Sequence, residues 1–403
     1  MKERVRVGGV MQKRIVGVLA VLAITLAACT GTTATGGPSG SPTASAAKPD
    51  VKVGVVISLT GVGNVYGPTQ KNGVELAAQR INDAGGVNGA KMVLVIDDDQ
   101  STTDGGVTAF RKQTSQDRVV AILGPTLSNT AVAAHPVAQS AQTPVIAISN
   151  TGDGIVGKCD YGPCDYIFRA SLGESTAIPQ TVSVAKSKLN VKSVVLMYAQ
   201  DDKFSSDGFA IFKKNLTSAG ITIKKEIAFS KTDVDLSGPV TAALAESPDA
   251  IVDSSLAGPA IAVLKEVNKR SPGKLVIGGN GFNTPAIITS AGAAAEGAVS
   301  GAAWYLGNPD PVNKDFVAAY KAKYNVDPDQ FAAQAYSALY ILLDALKRTP
   351  AVTSVLHDKL RDQIELTTGV KTPLGEFSFN ASHDVNQKVY VVQIKNGQFT
   401  QIN

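Results

Sequence analysis

Residues Val51–Ser58 form a near-continuous apolar run, and that run constrains the fold more than any other stretch. A strand of this kind is buried on both faces of a parallel sheet, so it needs helices on each side of it. The chain supplies them in alternation. Val74, Ala77, Ala78 and Ile81 make a helical stripe over Thr69–Ala84, and Gly85-Gly86 ends it. Strand Met92–Asp97 then leads to a helix over Thr103–Gln116, and Val119–Leu123 to a helix over Asn129–Gln142. Val145–Ile148 and Ile167–Ala170 complete a first set of strands.

A second run repeats the pattern. Helix Ser175–Leu189 precedes strand Ser193–Tyr198, helix Ser206–Ala219 and strand Ile221–Phe229. Helix Leu236–Ala245, strand Ala250–Val252, helix Ala260–Lys269 and strand Leu275–Ile277 follow. Two such runs predict an α/β protein with two doubly wound parallel-sheet lobes. The last third has a different texture. Val299–Tyr305 reads as extended, and helices are expected over Pro311–Tyr324, Phe331–Lys347 and Thr353–Leu366. Asn396-Gly397 between Val389–Ile394 and Gln398–Ile402 signals a hairpin.

The amino-terminal residues read as a targeting segment rather than as fold. Lys2, Arg4, Arg6, Lys13 and Arg14 precede the apolar run Ile15–Leu26, which falls short of the ~20 residues that span a bilayer as a helix. Leu26-Ala27-Ala28-Cys29 resembles the lipobox of bacterial lipoproteins, which implies cleavage before Cys29 and a lipid on its sulfur. An ordinary signal peptide with an incidental cysteine is the alternative. Removing residues 1–28 takes five of the 38 basic residues and one of the 34 acidic ones, so the remainder is balanced. Nothing in that charge points to nucleic acid or an anionic surface. Residues 29–50 are a Gly/Pro/Ser/Thr-rich tether too poor in large apolar groups to fold. Cys159 and Cys164 flank a Gly-Pro turn signal, and a small disulfide loop is expected outside the cytoplasm. Two free thiols or half of a metal site are the other readings, and no neighbouring Cys or His completes a zinc set.

Several strand ends could carry chemistry. The loop Gly61–Gly67 invites a dinucleotide reading, but its G-x-G-x-x-x-G spacing fails the fingerprint. Gly124–Thr130 joins a buried strand to a helix start, where free N–H groups favour an anion. Ser128 there is either a donor to a ligand or the cap of its own helix. Ser149–Asp153 would lie beside it, while Asp201–Phe204 and Gly279–Phe282 would face both across a cleft. Neither G-x-S-x-G nor H-E-x-x-H occurs, and His135, His357 and His383 are scattered, so no enzyme, metal or cofactor is expected. Asp97–Asp99 reads as a solvated strand end, and Trp304-Tyr305 as core or cleft wall.

Val51–Ser58, Tyr66-Gly67, Glu75–Ala77, Ile81–Gly89 and Asp97-Asp98 together resemble the solute-binding proteins of branched-chain amino acid (Leu/Ile/Val) ABC importers. The resemblance runs from about Val51 to the carboxyl terminus. It implies a type 1 periplasmic-binding-protein fold, two lobes joined by three crossings that close on a solute by hinge bending. Lobe 1 would comprise residues 51–170 and 303–377, and lobe 2 residues 171–302 and 378–403. It implies a ligand set of Tyr66, Ser128, Asn129, Ser149, Thr151, Phe204 and Asn280. Ser128 would meet the ligand carboxylate, Thr151 would stand at the adjoining carbonyl position, and Tyr66 would act as an aromatic lid. Leu256 stands where another aromatic is common. Asn280 departs from the pattern, because amino acid binders carry there an acid that pairs with the α-ammonium, and an amide cannot supply that charge. A small carboxylate, amide or aromatic acid is therefore a ligand class alongside amino acids, with Phe204, Phe282 and Trp304 as apolar walls. The implied role is a monomeric, lipid-anchored extracytoplasmic protein that hands its solute to ABC permease subunits. A lipoprotein sensor that signals to a membrane receptor is the rival.

Overall fold

The computed structural model describes residues 48–349 and 357–402. The apolar run becomes β1 (Val51–Ile57), which lies inside a sheet, between β2 (Met92–Asp98) and β3 (Ile122–Leu123). With β4 (Val145–Ala147) and β5 (Ile167–Arg169) the order is β2-β1-β3-β4-β5, all parallel. Both faces are covered, as the sequence requires. Val51, Val53, Val55 and Ile57 share one core with α1 (Gly67–Asp83). Val56 faces the other way, into a core with α2 (Thr103–Lys112) and α3 (Ser128–Ser140).

The chain then passes to a second sheet. The helices α4 (Glu174–Ser187) and α5 (Lys203–Ser218) cover one face of it, and α6 (Ser237–Ala245) and α7 (Ala257–Arg270) the other. Its strands are β6 (Ser193–Ala199), β7 (Thr222–Phe229), β8 (Ala250–Ser254), β9 (Leu275–Gly278) and β10 (Val299–Ala302). A short α8 (Pro285–Ala291) between β9 and β10 carried no periodic signal. After β10 the chain returns to the first lobe through α9 (Pro311–Tyr324), α10 (Gln330–Arg348) and α11 (His357–Glu365). Helix α10 is buried along most of its length and packs against α1. A small ladder of β11 (Val370–Thr372) and β12 (Gly375–Phe377), also unforeseen, leads back to the second sheet.

The second sheet has the order β14-β13-β10-β9-β8-β6-β7, parallel as expected from β10 to β7 and extended at one edge by the hairpin. Strand β13 (Tyr390–Lys395) pairs antiparallel with β10, and β14 (Gln398–Gln401) pairs antiparallel with β13, as a hairpin must. Asn396 and Gly397 both have positive φ, as the two-residue turn demands. Cys159 and Cys164 form the expected disulfide. Cys29 and the lipobox, the tether up to residue 47, and the start of the helix expected from Thr353 lie outside the described residues.

Candidate ligand-binding site

The carboxyl ends of the two sheets face each other across a small cavity. From the first lobe come Thr126, Leu127 and Ser128 after β3, Ser149 and Thr151 after β4, and Tyr66 at the head of α1. From the second come Phe204 at the head of α5, Leu256 after β8, and Asn280 and Gly281 after β9. Phe331 in α10 closes the back.

Helix α3 starts at Ser128, one residue before the predicted start, and its N-cap is Leu127. A leucine has no side-chain oxygen, so no side chain caps the helix. The first N–H groups and the positive end of the dipole are thus left for an anion. The alternative role for Ser128, as the cap of its own helix, is not the one observed. Its Oγ accepts a long bond from Gly152 N at 3.4 Å, which leaves the hydroxyl proton free to donate. Thr151 is fully buried, and among the described residues its Oγ1 has no hydrogen-bond partner. A buried unpaired hydroxyl is costly unless something else meets it.

Ser149 is on the wall, but its hydroxyl is engaged. It donates to Thr126 O at 2.6 Å and accepts from Gln70 Nε2 at 2.8 Å. Thr126 Oγ1 in turn donates to Gln70 Oε1 at 2.7 Å and accepts from Ser58 N at 2.9 Å. This closed network sets the wall rather than the ligand contact. Gly67 explains how the Tyr66 loop comes so near: a Cβ there would stand 1.9 Å from Ser58 O. The glycines of that loop serve close approach and not a dinucleotide.

Tyr66 does more than lie over the site. Its hydroxyl accepts from Ala257 N at 2.8 Å and donates to Gly281 O at 3.2 Å, and its ring packs on Phe331. Burial pushes the hydroxyl well above the ordinary tyrosine range, so it keeps its proton. Asn280 Oδ1 accepts from Gln330 Nε2, while Asn280 N donates to Glu174 Oε1 at 2.8 Å. Glu174 is buried, its Oε2 has no partner among the described residues, and burial pushes its carboxyl up to about 7 against the pull of the Asn280 N–H.

Three expected members stand elsewhere. Asn129 is off the cavity wall; its Oδ1 accepts from Lys203 N at 2.6 Å and ties α3 to the start of α5. Phe282 is buried in the second-lobe core, packed against Gly278. Trp304 donates from Nε1 to Asn313 Oδ1 at 2.6 Å and lines a separate groove beside Tyr305 and Phe399. The acidic run is not a free strand end: Asp99 accepts from Ser58 Oγ, Asp98 from Leu59 N, and Asp97 pairs with Lys112. His135 is structural; burial lowers it to about 4, and its Nδ1 lies 3.2 Å from the Tyr161 hydroxyl. Sequence reasoning missed Glu174, Gln330, Gln70 and Phe331. Glu174 looks like any acid in a first helical turn and Gln330 like any residue after an N-cap, so no local signal sets them apart.

A family model described as periplasmic binding protein matches residues 50–398. Leu/Ile/Val-binding protein homolog 3 of Brucella melitensis is 24% identical over 350 residues, covering 85% of this chain and 90% of its own length. The Leu/Ile/Val-binding protein BraC3 of Rhizobium johnstonii is 25% identical over 332 residues, covering 81% and 88%. Among solved structures, LivJ of Streptococcus pneumoniae in complex with isoleucine superposes with a TM-score of 0.80 at 26% identity, covering 88% of this chain and 100% of that one. The leucine-binding protein LivK of Thermotoga maritima gives 0.81 at 23%, covering 88% and 98%, which is a likeness of fold.

Proposed function

The chain belongs to the periplasmic binding protein family, the extracytoplasmic solute-binding proteins of ABC importers, and from that premise we propose how it captures its solute. A small carboxylic acid enters between the lobes, and its carboxylate meets the uncapped start of α3 with Ser128 and Thr151 as hydroxyl donors. Phe204, Leu256 and Phe331 enclose its apolar body. Lobe closure then buries the solute, with residues 51–170 and 303–377 moving against 171–302 and 378–403, and the permease recognises the closed monomer. The single observation that carries this reading is the uncapped helix start beside an unpartnered buried hydroxyl, both on one cavity wall. The relatives' names bring leucine, isoleucine and valine into the candidate set. Cys29 carries the lipid that holds the protein at the membrane, and residues 29–50 give the binding body reach.

Two measurements test this. Isothermal titration of refolded, ligand-free protein against a panel of small amino acids, oxo acids, hydroxy acids and benzoates should find at least one saturable binder. Silence across the whole panel would sink the solute-binding reading. Cys29→Ser should move the protein from the membrane to the soluble fraction, and unchanged membrane retention would remove the anchor.

A further inference from the structure

The side-chain amide of Asn280 has one orientation that satisfies its neighbours. Ala303 N–H donates to Gln330 Oε1 at 2.6 Å, and only the oxygen end of a glutamine side chain can accept it. The Nε2 end of Gln330 is therefore the end presented to Asn280, and a donor there requires the oxygen of Asn280 opposite it. With Oδ1 spent in this way, the NH2 end of the amide is turned away from Gln330. Among the described residues Asn280 Nδ2 donates to no protein acceptor, and Asn280 stands on the cavity wall. The wall across from it also offers donors: the N–H groups at the start of α3 and the hydroxyl protons of Ser128 and Thr151, whose oxygens can accept as well.

A cavity with donors at both ends calls for acceptors at both ends. We infer that the solute is a small carboxylic acid with an oxygen acceptor (oxo, hydroxyl or carbonyl) where an α-amino acid carries its ammonium. The inference rests on the reading of this cavity as a solute site. An ammonium has donors and no lone pair, so against Asn280 Nδ2 it would set donor against donor and bury an unpaired charge. Nearby acids do not reverse this. Glu174 Oε1 is engaged from behind by Asn280 N–H, Asp202 Oδ1 caps α5 through Ser205 N, and Asp253 Oδ2 accepts from Ser255. None of the three lines the cavity.

The test uses three acids of one carbon skeleton, L-leucine, 2-hydroxy-4-methylpentanoate and 4-methyl-2-oxopentanoate, with benzoate and 4-hydroxybenzoate beside them, titrated into refolded wild-type protein. The oxo or hydroxy acid should bind at least tenfold more tightly than L-leucine. Gln330→Glu keeps an acceptor for Ala303 N–H but loses the donor to Asn280, so the amide turns over and presents Oδ1 to the cavity. Its oxo-to-amino preference should shift at least tenfold toward L-leucine, and Asn280→Asp should shift it the same way. L-leucine binding as tightly as both partners in the wild type overturns the inference and leaves the solute-binding reading intact. Preferences unchanged in both variants, with melting curves like the wild type, overturn the role of the amide. Binding of none of the five acids defeats the inference, and silence across the wider panel defeats the solute-binding reading as well.

Discussion

Thr151 carries a buried hydroxyl that no described protein group uses, which separates its effect on stability from its effect on binding. Thr151→Val removes a polar atom that folding had to desolvate without return. The melting temperature of the free protein should stay level or rise, while affinity for a carboxylate falls by ~1.5–3 kcal/mol, the worth of a hydrogen bond to a charged group. Calorimetric melting and titration read the two effects separately, and a loss of both together would make Thr151 a structural residue. Glu174 is the opposite case, a buried group that costs stability. Its carboxyl rises from 4.5 to about 7 on folding, chiefly through burial. Between those values the folded chain holds a proton that the unfolded chain has released, so stability falls as pH rises. The contribution is complete below about pH 4.5 and is lost as pH climbs through about 7. Glu174→Gln cannot ionise, and its stability relative to wild type should improve from pH 5 to pH 8. His135, lowered to about 4 by burial, pulls the other way but is common to both proteins and cancels in the difference. A pH-independent offset in the thermal melts would refute the assignment.

At the scale of elements, whatever follows a period was legible and whatever depends on a distant partner was not. The apolar strands and striped helices name their own faces, so β1, α1 and most of the alternation stand where the pattern puts them. The Asn396-Gly397 turn was legible for the same local reason, and it makes a clean prediction. Gly397 has φ +67°, a left-handed conformation that costs a residue with a Cβ ~1–2 kcal/mol. Gly397→Ala should lower the unfolding free energy in a denaturant titration by that amount and leave ligand affinity unchanged, since the hairpin lies off the cavity wall. A fall in affinity at constant stability would contradict it. By contrast α8, β11 and β12 are three to seven residues long, too short for a period to declare itself. At the site, Ser128, Thr151 and Tyr66 were legible because they stand at strand ends or helix starts. Gln330 was not. Its meaning lies in Ala303 and Asn280, which are 27 and 50 residues away in the chain.

At the scale of the whole molecule, the proposed closure raises the question of what would hold the two lobes shut. Polar contacts cross between them at Asn129 with Lys203, Asp153 with Asp207, and Asp160 with Lys203. The Asp160 pair is half exposed and screened, so it contributes little. Tyr66 is different, because one buried hydroxyl reaches two backbone groups of the second lobe, Ala257 N and Gly281 O. Tyr66→Phe keeps the ring against Phe331 and removes only those two bonds, each worth ~0.5–1.5 kcal/mol. The bonds exist only when the lobes are together, so they favour closure whatever the solute. A ligand that needs the closed form is bound more weakly in proportion to the closed fraction lost. The expected result is a wider radius of gyration for the free protein in X-ray scattering, and a dissociation rate higher by about 5- to 150-fold with association little changed. Tyr66→Ala should lose more, since it also opens the wall. If Tyr66→Phe releases ligand at the wild-type rate, closure is held by the solute itself, and the latch has no part in retaining it.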